Sequence, residues 1–311
     1  MLREKAKVLG KIRGFFEARG YTEVFTSPLL RYPNLDPNIG VFKVENEPLY
    51  LHTSPEYPMK KLLANEHTSI YQLAPVFRRD RQDSLHRKVF LMLEWYGIEN
   101  TYLNLMDEAE SLVVHLLSSD TRYGPSLTRR RIGSTIDLSP PWPRMRVAEA
   151  FEKWAGISLE ELRDERALRN RFKELGIDYH PNDPWETRFN MLFVHCVEPR
   201  IRELGRPIFL YDYPVEVGLM AAPHPHDPSL VQRVELFAGE LELMNGYTEL
   251  TDPHEQMERW KKEARETVNA DPALLQALPK LGLVAGAALG VDRLLMLLWE
   301  IEDISQVSLS E

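Results

Sequence analysis

The sequence predicts an α+β fold, an antiparallel sheet flanked by helices. Three observations carry that expectation. Strand-like segments are joined by hairpins and long helical excursions, with no regular βαβ alternation. Residues 76–96 read as strand, charged loop, strand, and the second strand alternates along its length. Residues 140–205 change to helical periodicity, which predicts a small helical insertion within one domain spanning residues 1–311.

Taken in order, Val8, Ile12, Phe15 and Phe16 recur at helical spacing across residues 3–19, and Gly20 predicts the stop. Residues 21–28 read as a short strand halted by Pro28. A segment rich in proline and asparagine follows at 32–38, then short strands at 42–44 and 49–51. Thr53-Ser54-Pro55-Glu56-Tyr57 is a helix-start pattern: a hydroxyl cap candidate, a proline and an acid in the first turn of a helix over 57–64. Arg78 and Asp80 share a face at the end of the next strand, and the loop 81–88 is charged without a hydrophobic period. In the strand 89–96, Val89, Leu91, Leu93 and Trp95 form an apolar face that predicts core. Phe90, Met92, Glu94 and Tyr96 form the other face. A helix follows at 107–117. Beyond Pro140-Pro141-Trp142-Pro143, amphipathic segments at 147–154, 159–175 and 190–204 build the insertion. Residues 209–213 and 233–245 read as strands, with Asn245-Gly246 as a turn signal. A charged helix at 253–269, a small-residue strand at 282–290 and a helix at 292–300 complete the chain.

Composition sets limits on function. The 311 residues carry a net charge of −9 and a pI near 5.6, which makes the chain a poor general binder of polyanions. One cysteine, Cys196, excludes an internal disulfide and a cysteine-based zinc site. The first twenty residues are charged throughout and lack a signal-peptide core, and the longest apolar run, 294–299, is far too short to span a bilayer. A soluble, cytoplasmic protein with no membrane partner is the resulting expectation.

Two further segments carry chemistry. Glu240-Leu241-Glu242 puts two carboxylates on one strand face, and Glu249 follows the Asn-Gly pair. Paired carboxylates suit a divalent cation or an ammonium group, although a solvated face is their commoner use. Glu94 sits in a largely apolar strand, where a carboxylate is costly to bury without a partner; the ordinary alternative is an edge strand with Glu94 in water. Residues 286–293 run from a strand into a helix. Their glycines leave the backbone open to a flat ligand. Arg293 lies in the first helical turn, against the macrodipole, which invites a phosphate or an aromatic ring; a salt bridge is the ordinary alternative. No Ser-His-Asp or Cys-His pattern demands a protein nucleophile.

Together these segments resemble the catalytic domain of the class II aminoacyl-tRNA synthetases, lysine subgroup. Residues 20–28 resemble its first motif, 77–96 its second and 286–293 its third. TSPEY at 53–57, MLEWY at 92–96, ELFAGELELMNGYTEL at 235–250 and ALGVDRL at 288–294 come in the family's order and cover nearly the whole chain. The chain is most similar to the elongation factor P (R)-β-lysine ligase family, stand-alone paralogs of lysyl-tRNA synthetase. The first motif begins near residue 20, which leaves no room for an anticodon-binding domain, and Ala288 stands where the synthetases have glycine.

The resemblance implies an AMP-forming, ATP-dependent amino-acid ligase that uses ATP and Mg²⁺. Lysine or (R)-β-lysine would be activated as an adenylate and passed to a lysine of elongation factor P, without tRNA anticodon recognition. Arg78 and Arg293 would be catalytic, Arg78 holding the α-phosphate and the substrate carboxylate. Phe90 and Arg293 would sandwich the adenine. Arg79, Asp80, His86, Arg87, Leu243 and Gly290 would complete the nucleotide site, and Glu242 would hold the metal. Glu56 and Glu94 would bind the amino group near the carboxylate, and Tyr96 and Glu249 the distant ammonium. Ser54 and Pro55 would form the pocket wall, and Ala288 would favour β-lysine. A homodimer is expected through the first-motif helix and strand, with Val8, Ile12, Phe15 and Phe16 as the apolar stripe. The second motif departs from the family: Arg78-Arg79-Asp80 and His86-Arg87-Lys88-Val89-Phe90 replace Arg-Asn-Glu and His-Asn-Pro-Glu-Phe. Residues 307–310 also depart. Two alternatives stand beside this reading: a paralog that activates another diamino acid, and an idle regulator that binds a nucleotide or amino acid.

Overall fold

The computed structural model of the chain describes residues 1–36, 38–118, 127–131, 134–180, 182–263 and 269–307. Among these, one large sheet runs in the order Thr22–Glu23, Ile70–Phe77, Val89–Ile98, Val284–Gly290, Leu241–Thr248, Asp227–Ala238, Ile208–Pro214 and Arg144–Arg146, with Pro223–His224 beside Asp227–Ala238. The outermost pairing at each end is parallel. All others are antiparallel, which direct hairpins between neighbours allow.

The alternation in Val89–Ile98 separates core from site. Leu93 and Trp95 join a buried cluster with Phe16 of helix Leu2–Glu17, Leu105 of helix Tyr102–Ser118 and Leu294 of helix Val291–Leu298. The Trp95 indole N–H is satisfied by Glu108 Oε2 at 2.8 Å. Glu94 and Tyr96 point the other way. Residues 147–203 carry a second cluster, around Phe151, Phe172, Phe189 and Leu192. It continues into the sheet through Leu210, Val231 and Phe237. No helix among the described residues is long and apolar enough to cross a membrane.

Three expectations need correction. The stripe Ile12, Phe15 and Phe16 is buried within its own chain, and the Phe16 ring stacks on Tyr71 at 4.9 Å. It is therefore spent on the core; exposed apolar side chains in the first thirty residues include Leu2, Phe25, which is 85% exposed, and Leu29. Residues 233–245 are not one strand. The chain reverses at Gly239, whose φ of +61° suits glycine, and Glu240 lies in that turn. Glu240 and Glu242 thus do not share a strand face. Asn245-Gly246 is no turn but the middle of Leu241–Thr248. A Cβ on Gly246 would lie 2.8 Å from Ala287 Cβ and 2.9 Å from Leu105 Cδ1, so glycine is there to let a helix and a strand approach.

Smaller differences concern boundaries. The strand expected over 21–28 is paired only at Thr22–Glu23. The helix expected over 57–64 runs Glu56–Glu66, with Pro55 at its N-cap instead of its first position; Ser54 Oγ, one residue earlier, accepts from the Glu56 N–H at 3.0 Å. Residues 264–268 of the expected 253–269 helix, and 308–310 at the C-terminus, lie outside the described residues.

Helix Leu2–Glu17 is tied to helix Val291–Leu298 by a buried ion pair. Lys5 Nζ lies 2.6 Å from Asp292 Oδ1, and Asp292 Oδ2 accepts from the Leu91 N–H at 3.0 Å. Removing one member strands the other charge away from water. Asp292→Ala is therefore expected to lower unfolding free energy by about 3–5 kcal/mol, measured by urea denaturation; a loss within error would show that Lys5 finds solvent.

Candidate active site

The polar face of the sheet floors a cavity of about 330 Å³. Strand register sets that floor in two rows. Glu94, Ala288 and Asn245 pair across three neighbouring strands, as do Tyr96, Gly286 and Tyr247. All six line the cavity. The small residues of Val284–Gly290 make a trough between larger polar side chains. A Cβ on Gly286 would come 2.2 Å from Tyr96 Cε1 and 3.0 Å from Glu249 Oε1, so Tyr96 occupies space that only glycine leaves free. Thr53, Ser54 and Glu56 close one wall. Glu186 and Asn190, from the helical segment, contribute to the lining.

Carboxylates gather at one end. Glu94, 2% exposed, accepts from Ser54 Oγ and from Tyr96 OH, each at 2.6 Å. Glu56 accepts from Tyr247 OH and, at 2.6 Å, from Lys60 Nζ. Glu249 is enclosed behind the cavity wall, its Oε2 2.5 Å from Lys60 Nζ. Neither Glu249 oxygen meets a donor in good hydrogen-bond geometry among the described residues. Burial, then the charge of Glu56, pushes the Glu94 carboxyl up to about 7. Burial outweighs the opposing charge of Lys60 and pushes Glu249 up to about 8. Burial alone would lower the Lys60 ammonium, but Glu249 and Glu56 hold it above its usual value.

Two arginines, Arg78 and Arg233, also line the cavity. Arg78 lines the cavity, donates from Nε to Thr53 O at 3.3 Å and lies over the Phe90 ring at 5.2 Å. Burial lowers its pKa against the pull of Asp36, Glu242 and Asp80. Arg233 is held by Asn245, Val217 O and Glu235. The remaining nucleotide-site candidates lie off this cavity. Arg293 donates to Glu242 O at 2.9 Å and Leu85 O at 3.3 Å. Gly290 starts its helix, Leu243 is buried in the core cluster, and Glu242 is an exposed single carboxylate. No group of three His, Cys, Asp or Glu among the described residues is placed to hold a metal. In the second-motif loop, Asp80 accepts from the Gly40 N–H at 3.1 Å, His86 pairs with Asp83 at 2.8 Å, and Arg79 is exposed. Arg87 Nε is buried with no hydrogen-bond partner among the described residues.

The structure thus brings together Ser54, Glu56, Arg78, Glu94, Tyr96 and Ala288 on one cavity, while buried Pro55 precedes Glu56 outside the lining set. It also brings in Asn34, Arg233, Asn245 and Tyr247, with Lys60 behind the lining, all of which sequence reasoning missed. Alternation before Glu249 was a signal for Asn245 and Tyr247, and the four-residue spacing from Glu56 was one for Lys60. Asn34 Nδ2, buried and without a hydrogen-bond partner among the described residues, left no sequence signal.

An antiparallel sheet that presents an arginine, grouped carboxylates and a glycine-ended strand before a helix is the layout expected of a class II synthetase catalytic domain. A family model described as tRNA synthetases class II (D, K and N) matches residues 1–309, and the chain belongs to that family. It is 35% identical over 298 residues to an elongation factor P–(R)-β-lysine ligase homolog of Aquifex aeolicus, covering 93% of this chain and 92% of that one. It is 33% identical over 327 residues to the elongation factor P–(R)-β-lysine ligase of Vibrio cholerae, covering 99% and 94%. A lysine–tRNA ligase of Pelotomaculum thermopropionicum is 30% identical over 321 residues, covering 98% of this chain but 62% of that one.

Proposed function

We propose that the chain activates lysine or (R)-β-lysine with ATP and transfers it to a lysine amine of elongation factor P. The observation that carries this reading is the charge set of the cavity: Arg78, Glu56 and Glu94 line it, and Glu249 stands behind the lining on Lys60. A substrate with one carboxylate and two ammonium groups matches it. The relatives named as elongation factor P ligases support the acceptor, since they match this chain over nearly their full length.

In the first step a substrate carboxylate oxygen attacks the α-phosphorus of ATP, and pyrophosphate leaves with the electrons of the broken P–O bond. In the second, the acceptor amine attacks the adenylate carbonyl, loses a proton, and AMP departs. Arg78 orients the carboxylate and offsets charge at the phosphate. Phe90 and Arg293 hold the adenine, with Gly290 leaving room for it and Leu243 beside it. Arg79, Asp80, His86 and Arg87 shape the loop over the phosphates. Glu56 and Glu94 meet the nearer ammonium. Tyr96 and Glu249 meet the farther one, and Ser54 orients Glu94. A Mg²⁺ arriving with the nucleotide would offset phosphate charge, and it needs only one or two protein carboxylates, of which Glu242 is one. Positioning and electrostatics carry the rate. Two copies of the chain are expected to pair, and a two-chain mass by light scattering checks this.

Pyrophosphate exchange across a panel of amino acids tests the substrate. Exchange with β-lysine and lysine is expected, and exchange with neither would overturn the reading. Ala288 lies in the trough beside Glu94, where one methyl discriminates substrates by about 10–200-fold. Ala288→Gly is expected to move the kcat/KM ratio toward lysine; an unmoved ratio would reduce Ala288 to packing.

The pH dependence follows from the two raised carboxyls. Each holds its proton in the free protein below about 7 for Glu94 and about 8 for Glu249, and must release it to face an ammonium. KM for the diamino acid is therefore expected to fall as pH rises from about 6 to about 8.5 and then level. A flat profile would show that neither carboxyl meets the substrate.

A further inference from the structure

Lys60 has no part in the reaction just described, yet it is the ion at the centre of the acidic end. Its side chain is 0% exposed and lies outside the cavity lining. Its Nζ contacts Glu56 on its own helix and Glu249 beyond the Leu241–Thr248 strand, and it stands 5.3 Å from the centre of the Tyr247 ring. An ion pair of this kind is a weak device for stability alone, because apolar side chains of similar volume serve as well or better. A fully desolvated lysine placed under a charged pocket needs a reason connected to that charge.

We propose that Lys60 is a specificity-determining positioning residue, whose fixed ammonium sits between the crowded carboxyl groups of the cage and lowers the cost of ionising them when two substrate ammonium groups enter. The inference rests on the reading of the substrate as a diamino acid. The count applies once the diamino acid is bound: Glu56, Glu94 and Glu249, ionised, supply three negative charges, of which Lys60 takes up one and the two substrate ammonium groups the others. The groups facing this cluster come from every element around it. Glu56 is on the same helix and Ser54 precedes it; Glu94 and Tyr96 come from Val89–Ile98, Tyr247 from Leu241–Thr248 and Glu249 from just beyond. The two tyrosines are held neutral by burial and by the neighbouring carboxylates. Without Lys60, the protons held by Glu94 and Glu249 would be bound more tightly still. An incoming ammonium would then displace a proton at greater cost than in the wild type.

The test compares wild type with Lys60→Met and Lys60→Gln by two readouts. One is ¹³C NMR titration of glutamate side-chain carboxyls in the ligand-free protein. The other is calorimetric affinity for lysine and (R)-β-lysine across pH. Both variants are expected to raise the Glu94 and Glu249 midpoints by about one pH unit or more, and to weaken affinity at neutral pH by about tenfold, with recovery at alkaline pH. Unmoved midpoints, or an affinity loss equal at every pH, would overturn the proposal and leave Lys60 a structural ion. If neither amino acid binds wild type, the reading of function fails, while the carboxyl titration still decides the part played by Lys60. If the single variants do not fold, the double variant Lys60→Met with Glu249→Gln removes both charges together. Its Glu94 midpoint is expected to match wild type, and a midpoint raised by about one unit would refute the charge balance.

Discussion

Desolvated like charge is the constraint on which this site depends. Glu94 and Glu249, both buried, converge with half-buried Glu56, and each carboxylate raises the cost of ionising the next. Ser54, Tyr96 and Tyr247 supply hydrogen bonds to Glu94 and Glu56, and Lys60 supplies the opposite charge. These groups come from a loop, a helix and two strands separated widely in sequence. The sheet must hold its register for any of them to meet.

Register is held by small residues. Gly286 and Ala288 sit between Glu94 and Tyr96 on one side and Asn245 and Tyr247 on the other. Gly246 lets helix Tyr102–Ser118 approach the reverse face closely. The same strands therefore carry a dense apolar core on one face and a polar trough on the other. Leu93 and Trp95 anchor the first; Glu94 and Tyr96 form the second. A shift of one residue in any of the three central strands would exchange the two faces.

The arginine end obeys a different economy. Arg78 is half-buried and flanked by Asp36, Asp80 and Glu242, so its charge is tolerated without being fully cancelled. It leans over Phe90 and keeps its Nε on a backbone carbonyl. A guanidinium held in this way is oriented before any anion arrives, which lowers the reorganisation needed during phosphoryl transfer. Helix Val291–Leu298, fixed by Lys5 and Asp292, sets Arg293 nearby.

The sequence by itself determined the sheet-and-helix class, the two faces of the 89–96 strand, the helix start after Ser54, and the family through ordered motifs. Each is a local matter, since alternation, capping and motif order are written along the chain. Tertiary structure decided the rest. Asn245-Gly246 has the form of a turn, but only the neighbouring Ala287 and Leu105 show that its glycine serves close packing. The stripe Ile12, Phe15 and Phe16 announces burial without naming the partner, and Tyr71 in the same chain takes it. Lys60 and Glu249 lie 189 positions apart, and no periodicity links them. Their meeting is fixed by strand pairing and burial, which act between distant residues and leave no mark on either one alone.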